Sequence, residues 1–186
     1  EEISRSFDEP FSGVISTFFL TELIAEHVKV CLSGDGADEL FGSYLAHRMA
    51  RPLSIRAKGF AAGRAPTTKE RAQFGEWSDR FEVLDAVLKI DDYAGQRMAQ
   101  YISDEDTNRG LYSHYMSDLV GNASTTELIR NVDGEYLGAD PTNRALNIDF
   151  GTLLPDQVLC FVDRLSMAHS VEVRPPFLDH PLMELV

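Results

Sequence analysis

The sequence predicts a predominantly α-helical chain organised around a small α/β element with one or few strands. Three observations carry this. Apolar residues recur at three- and four-residue spacings along most of the 186 residues. One short β-branched run, Val28-Lys29-Val30-Cys31-Leu32, stops at Ser33-Gly34-Asp35-Gly36, as a strand does when it leaves a sheet for a loop. After Pro52 the strand signals nearly vanish.

Taken in order, Val14, Ile15, Phe18, Phe19, Leu23 and Ile24 predict an amphipathic helix over 14–26. The strand over 28–32 follows. A second helix begins near Ala37 and runs through Glu39, Leu40, Tyr44 and Leu45 toward Met49, completing a helix–strand–loop–helix order that is the grammar of an α/β sheet. Residues 58–66, with Gly59 and Gly63, read as a loop or hinge. Helical spacing resumes over 68–88 and 91–102. Ser103-Asp104-Glu105-Asp106 and Ser124-Thr125-Thr126-Glu127 resemble capping boxes. Asp140 before Pro141 is an N-cap followed by a first-turn proline, which predicts helices over 141–153 and 156–168. A single strand cannot form a sheet, so its partners are expected outside these residues. The opening Glu1-Glu2-Ile3-Ser4-Arg5 lacks a signal-peptide layout, and Leu182-Met183-Glu184-Leu185-Val186 reads as an interrupted helix. The expectation is therefore a partial domain over 1–186, continued on its N-terminal and C-terminal sides in a longer protein, with about 53–140 as a helical insert.

Asp and Glu number 30 against 17 Lys and Arg, a formal net charge of −13. Such a surface repels phosphate backbones and anionic lipid, so neither nucleic acid nor a membrane is expected as a partner. Hydrophobic content of 44% and charged content of 25% exclude a disordered or fibrous chain. No apolar run approaches the roughly 20 residues of a membrane span. Arg51, Arg56, Lys58, Arg64, Lys69 and Arg71 form the one basic-leaning stretch, which reads first as a solvated face and second as a polyanion site. Cys31 and Cys160 each lie inside an apolar run, which suits buried reduced thiols and a cytoplasmic location.

The densest chemical signal is Leu32-Ser33-Gly34-Asp35-Gly36-Ala37-Asp38-Glu39-Leu40-Phe41-Gly42. Gly34 and Gly36 free backbone N–H groups to turn toward a ligand, and a following helix N-terminus adds partial positive charge, a combination suited to phosphate. Asp35, Asp38 and Glu39 beside a phosphate make sense with a hard cation such as Mg²⁺ between them. The residues alone leave open a plain glycine turn whose carboxylates complement the helix dipole, and an acidic Ca²⁺ module, whose ligand spacing they do not match. A second constellation runs from Val162 to His180 and contains Asp163, Arg164, His169, Glu172, Arg174 and Asp179. By itself it reads as an ion-pair network at a helix end, with His169 and His180 as hydrogen-bonding residues near helix ends.

Asp8-Glu9-Pro10-Phe11, the 32–42 loop and the 162–179 run occur in an order that resembles the synthetase domain of glutamine-hydrolysing asparagine synthetases. The resemblance implies an α/β adenine-nucleotide alpha-hydrolase-like (ATP pyrophosphatase) domain. It implies activation of aspartate with ATP and Mg²⁺ as β-aspartyl-AMP, and displacement of AMP by glutamine-derived ammonia. It also implies that Ser33, Gly34 and Gly36 line the nucleotide, that Asp38 holds Mg²⁺, and that Asp35 is a catalytic carboxylate. Arg164 would then supply positive charge toward the phosphates, with Glu172 and Arg174 as its scaffold. The family's Ser-Gly-Gly-x-Asp-Ser loop and its glutaminase are not in this sequence, so the 186 residues alone are expected to be inactive. An apolar strand without a partner is expected to invite pairing with a second copy, giving a homodimer. Three departures from the family pattern, Phe161 at a commonly basic position, Pro175 within Arg174-Pro175-Pro176-Phe177-Leu178-Asp179, and a short segment after Phe11, keep other acceptors open. These include β-lactam- and peptide-amide-forming reactions, and a degenerate interaction scaffold.

Overall fold

The strand read from the sequence finds its partner within the chain. In this computed structural model, which describes residues 2–7, 15–100 and 105–186, β1 (Val30–Leu32) pairs in parallel with β2 (Glu172–Arg174). The register sets Val30 beside Glu172, Cys31 beside Val173 and Leu32 beside Arg174. The ladder continues past both ends: the Glu172 N–H donates to the Lys29 carbonyl at 2.9 Å and the Ser33 N–H to the Arg174 carbonyl at 3.2 Å. The expectation that every partner of β1 lies outside this chain is therefore corrected. No third strand is present among the described residues, and Val28, Val30 and Leu32 remain exposed.

The chain divides into two units, 1–41 with 149–186 and 42–148. The first holds α1 (Glu2–Arg5), α2 (Ile15–Ala25), β1 and α3 (Ala37–Phe41). The second runs through α4 (Leu45–Ala61), α5 (Thr68–Gln73), a 3₁₀ turn Gly75–Trp77, α6 (Phe81–Leu88), α7 (Tyr93–Met98), α8 (Glu105–Gly110), α9 (His114–Val120), α10 (Thr125–Gly134) and into α11 (Pro141–Gly151). The chain then returns through a π-helical segment Leu154–Leu159, α12 (Cys160–Met167), β2, a 3₁₀ turn Pro176–Leu178 and α13 (His180–Leu185).

In the first unit, α2 packs on α12 through Phe7, Phe18 and Leu165, with Ile3 and Phe161 at the margin. Thr21 sits in this seam with its hydroxyl 2.8 Å from the Thr17 carbonyl and 3.2 Å from that of Leu165, so the one polar side chain buried on α2 is satisfied. The helix is apolar on more than its packed side. Phe19, Leu20 and Leu23 are all more than half exposed, so the expected amphipathic pattern is replaced by a helix with two apolar faces, only one of them covered. The motif Asp8–Phe11 and the predicted helix start at Val14 lie outside the described residues.

Helix α12 ends in a reversal that delivers the chain to β2. The Val171 N–H donates to the Ser166 carbonyl and the Ser170 N–H to that of Met167, the paired bonds of a Schellman ending. Ser170 takes the left-handed position, φ 58°, and Val171 is fully buried behind it. The same ending closes α4, where Gly63 (φ 62°) fills the equivalent place and the Arg64 N–H reaches the Gly59 carbonyl at 2.9 Å. There the residue type matches the conformation.

The second unit is helical, with two apolar clusters. Met49, Leu53, Phe74, Trp77, Phe81, Leu84 and Val87 join α4 to α5, the 3₁₀ turn and α6. Ala94, Met98, Ile129 and Ile148 join α7, α10 and α11. Several predicted boundaries move. Helix α4 continues through Pro52 to Ala61, because a proline removes one N–H but the packed face of Met49 and Leu53 spans it. The 68–88 helix is broken around the 3₁₀ turn. The 91–102 helix is described only as Tyr93–Met98, and the Ser103–Asp106 box is not fully within the described residues. Pro155 does not separate two helices but sits in the π-helical segment between them.

Caps account for several starts. Asp140 accepts from the Thr142 and Asn143 N–H groups at 2.8 and 3.0 Å, as its pairing with Pro141 predicts. Ser124 accepts from the Glu127 N–H, but the Glu127 carboxylate pairs with Arg130, so only half of that expected box forms. A complete box forms instead at the start of α5, between Thr67 and Glu70. The basic stretch is largely spent on ion pairs. Arg56, 4% exposed, is bidentate to Asp85 at 2.7 and 2.9 Å; Arg64 pairs with Glu70 and Arg51 with Asp140. No helix among the described residues is long and apolar enough to cross a membrane.

Two outcomes follow from these caps. The Arg64 guanidinium and the Thr67 amide and hydroxyl draw the Glu70 carboxyl from 4.5 down to about 2. A depressed folded-state value gives a contribution that is complete above about pH 4.5 and is lost as pH falls toward 2. Amide resonances of α5 followed by NMR should report its N-terminus loosening across that window, and Glu70→Gln should flatten the response. At the other ending, Ser170→Gly should raise stability to urea by about 0.5–1 kcal/mol, because a left-handed residue with a Cβ is penalised and glycine is not.

Candidate nucleotide-loop site

The parallel pairing brings the two chemical segments of the sequence together. As Leu32 lies beside Arg174, the loop that leaves β1 and the turn that leaves β2 emerge at the same end of the sheet. The Ala37 N–H donates to the Gly34 carbonyl at 3.2 Å and closes a turn over Asp35 and Gly36. Gly36 has φ +85°, and a Cβ there would meet the Leu178 Cδ2 at 2.3 Å. Glycine is therefore required twice, by the backbone angle and by the side chain pressed against it. Phe41, at the end of α3, meets Phe177 edge-on with ring centroids 5.9 Å apart. Leu178 and Phe177 thus fix the loop, a role the sequence does not reveal because it depends on the pairing of distant strands.

Within the loop the side chains separate. Around Gly34 no atom lies within 4 Å of where a Cβ would stand, so its backbone is open to close approach. The Ser33 hydroxyl is buried and has no hydrogen-bond partner, an orphan of the kind that marks an unfilled role. Asp35 is half-buried, Asp38 exposed and Glu39 1% exposed. The three carboxylates do not converge, and no group of three His, Cys, Asp or Glu side chains able to hold a metal occurs among the described residues. Helix α3 has only five residues, because Gly42 (φ +82°) stops it and α4 starts afresh at Leu45. The longer helix expected from Ala37 to Met49, and the dipole it would have offered phosphate, are corrected accordingly.

Glu172 and Arg174 pair across 2.8 Å on the exposed side of β2, a surface bridge that orients both side chains more than it stabilises the fold. Two clefts flank this strand. One of about 610 Å³ is lined by Leu32, Arg174, Pro176, Leu178 and Asp179, and one of about 290 Å³ by Asp163, Ser166, Met167, Glu172 and Leu178. Arg164 is turned toward the N-terminal segment, donating to the Ser6 carbonyl at 3.3 Å with its guanidinium 5.8 Å from the Phe7 ring centre. Phe161 meets Phe7 edge-on at 5.5 Å, so the aromatic at this commonly basic position serves packing. His169 does not act as the expected hydrogen-bonding end residue. Its ring packs on Phe18 at 4.3 Å and its Nε2 is buried without a partner. His180 pairs with Glu184 on the surface.

The family profile named asparagine synthase matches residues 1–186. The chain belongs to the asparagine synthase family. Similar proteins include a putative glutamine-hydrolysing asparagine synthetase of Mycobacterium bovis, 30% identical over 185 residues that cover 96% of this chain and 27% of that protein. Asparagine synthetase [glutamine-hydrolyzing] 1 of Bacillus subtilis is 27% identical over 186 residues, 96% of this chain and 28% of the relative. Amidase chry2 of Gibberella zeae is 26% identical over 180 residues, 87% of this chain and 26% of the relative. The chain thus spans about 27% of the first of these relatives. No solved structure matches it.

For this asparagine synthase domain, the Gly36–Leu178 contact gives a direct test of how the loop is held. Gly36→Ala should destabilise the fold by about 1–2 kcal/mol from backbone strain alone, with a further cost from the Leu178 contact. Leu178→Ala removes only the second. Denaturation of the two single variants and the double variant should therefore show a favourable coupling, while additive effects would mean that the loop and the turn do not touch.

Proposed function

We propose that this domain belongs to an ATP-dependent amidotransferase that activates aspartate as β-aspartyl-AMP and forms asparagine with ammonia released from glutamine. The observation that carries the reading is the family membership over the whole chain combined with a loop–strand junction suited to a nucleotide. The open backbone at Gly34 and the orphaned Ser33 hydroxyl fit a ligand pressed against the loop, and Gly36 holds the turn that shapes it. In this reading the 186 residues are one part of the catalytic protein and are inactive alone. A second copy of the chain would pair along the open side of β1, where Val30 and Leu32 are exposed, and the protein would work in the cytoplasm.

Mg²⁺ fits only as a companion of the polyphosphate. Asp38 is an exposed carboxylate in the first turn of α3, whereas Glu39 is buried, so the chain supplies one or two oxygens and the phosphates the rest. When bound, the ion would neutralise phosphate charge. The chain's own residues do the remaining work. The loop orients the nucleotide, because adenylation depends chiefly on positioning and on charge placed where it develops. Ammonia attacking the acyl carbon must lose a proton from nitrogen, and the half-buried Asp35 carboxylate is the proton acceptor. Arg164 holds the N-terminal segment at Ser6 and Phe7 and in this reading would supply positive charge toward the phosphates.

A second reading keeps the chemistry and changes the acceptor. The likeness to an amidase and Pro175 at the turn out of β2 favour a different carboxylate, in β-lactam or peptide-amide formation. A degenerate scaffold is less favoured, because the role of Phe161 in the Phe7 cluster accounts for its identity without loss of the site.

The test uses the full-length protein. Asp35→Asn should leave aspartate-dependent pyrophosphate release partly intact and slow amide formation about 10²–10⁴-fold. Asp38→Asn should impair pyrophosphate release itself and raise the Mg²⁺ requirement. Parallel loss of both half-reactions in both variants, with the same Mg²⁺ dependence, would contradict this division of labour.

A further inference from the structure

The second unit holds a cleft of about 520 Å³, bounded by α4, the turn before α7, α7 itself and the chain from the end of α10 into α11. That volume lies within the range of small-ligand sites, about 300–1,000 Å³. Its apolar walls are not all core. Leu88, Tyr93, Tyr136 and Pro141 are each part-exposed and open to an occupant, beside the buried Ala50 and Leu53.

Most polar groups of the cleft answer one another. Arg144 is bidentate to Asp133 at 2.5 and 2.6 Å. Asp140 is taken by Arg51 and by the first turn of α11, and its carbonyl accepts from the Tyr136 hydroxyl at 3.0 Å. The Gln96 side-chain amide donates to the Ile90 carbonyl, and that of Gln100 to the Gln96 carbonyl. Two charges and one carbonyl are left over, beside the exposed Ser54 hydroxyl. Lys58 and Asp91 both line the cleft, and neither has a charged partner among the described residues. The Oε1 of Gln100 has no hydrogen-bond partner, and such an orphan calls for an occupant that brings a donor.

This remainder selects a ligand by charge. With the internal pairs closed, one cation and one anion stand open, so a molecule with one charge of each sign fits and a polyanion or polycation does not. A carboxylate answers Lys58. An ammonium, with three N–H donors and no acceptor, answers Asp91 and the Gln100 carbonyl. We infer that the cleft binds a free α-amino acid with a large apolar side chain, which packs on Leu88, Tyr93 and Pro141. The inference stands apart from the amidotransferase reading, since it uses neither the nucleotide loop nor β2.

The probe is L-phenylalanine, titrated into the full chain and followed by NMR. Three controls each lack one feature: phenylalanine amide the carboxylate, 3-phenylpropionate the ammonium, and glycine the side chain. L-Phenylalanine should shift the resonances of Lys58, Asp91 and Gln100 saturably and leave those of Gly34 and Gly36 in place. Each control should bind more weakly. Lys58→Gln should weaken binding of phenylalanine about two- to fivefold, the scale of one exposed ion pair. Lys58→Glu should reverse the order of ligands, so that phenylalanine amide binds more tightly than phenylalanine. Misfolding cannot produce that reversal. No saturable shift at millimolar phenylalanine, equal binding of any control, shifts confined to the nucleotide loop, or an unchanged ligand order in Lys58→Glu would each overturn the inference.

Discussion

The parallel pairing of β1 with β2 is the constraint on which the first unit depends. It brings residues from opposite ends of the chain side by side, with Leu32 at Arg174, and from that register follow the contacts of Gly36 with Leu178 and Phe41 with Phe177. The intervening chain folds as a helical unit of its own. Such an insertion costs little entropy beyond that of a shorter loop, because closure entropy grows only logarithmically with length. A domain can therefore keep its chemical junction while the chain between its strands varies.

The second unit is held by paired charges as well as by its apolar clusters. Arg56 is buried and bidentate to Asp85, and it also donates to the Arg64 carbonyl at 2.6 Å. Arg144 is bidentate to Asp133 and stands 3.8 Å from the Tyr93 ring centre; the carboxylate raises the guanidinium further above its ordinary value. Pairs of this kind fix the geometry of neighbouring helices, and removing one partner leaves a charge without its compensation. The excess of acid over base thus leaves much of the basic stretch committed to internal partners.

What could be read from the sequence was what local chemistry decides. Asp140-Pro141 announces a helix start and forms one; Ser33-Gly34-Asp35-Gly36 announces a strand exit and is one. The Thr67–Glu70 capping box escaped the sequence reading, although its Thr-x-x-Glu spacing carries the signal. What else escaped depends on tertiary packing. β2 is three residues long with charged ends, Glu172 and Arg174, and carries almost no strand signal until a partner supplies its hydrogen bonds. Pro52 marks an end locally, yet the buried face of α4 carries the helix past it. The direction of Arg164 follows from the seating of Leu165 and Phe161 against Phe7 and Phe18, which no periodicity reveals. In the candidate site, the loop at 33–36 was legible as a strand exit; the different burial of Asp35, Asp38 and Glu39 was not, since it depends on which side of α3 is packed.

Amide hydrogen exchange measures the strand pairing most directly. The Ser33 N–H donates to the Arg174 carbonyl and the Glu172 N–H to the Lys29 carbonyl, at opposite ends of the same ladder. If β1 and β2 pair as described, both amides exchange slowly in the native protein, and Arg174→Pro, which removes the β2 amide on the same side as that of Glu172, releases them together. Free exchange of both amides in the otherwise folded native chain would mean that the loop and the 172–179 turn are not joined, and that the site built on their junction does not exist.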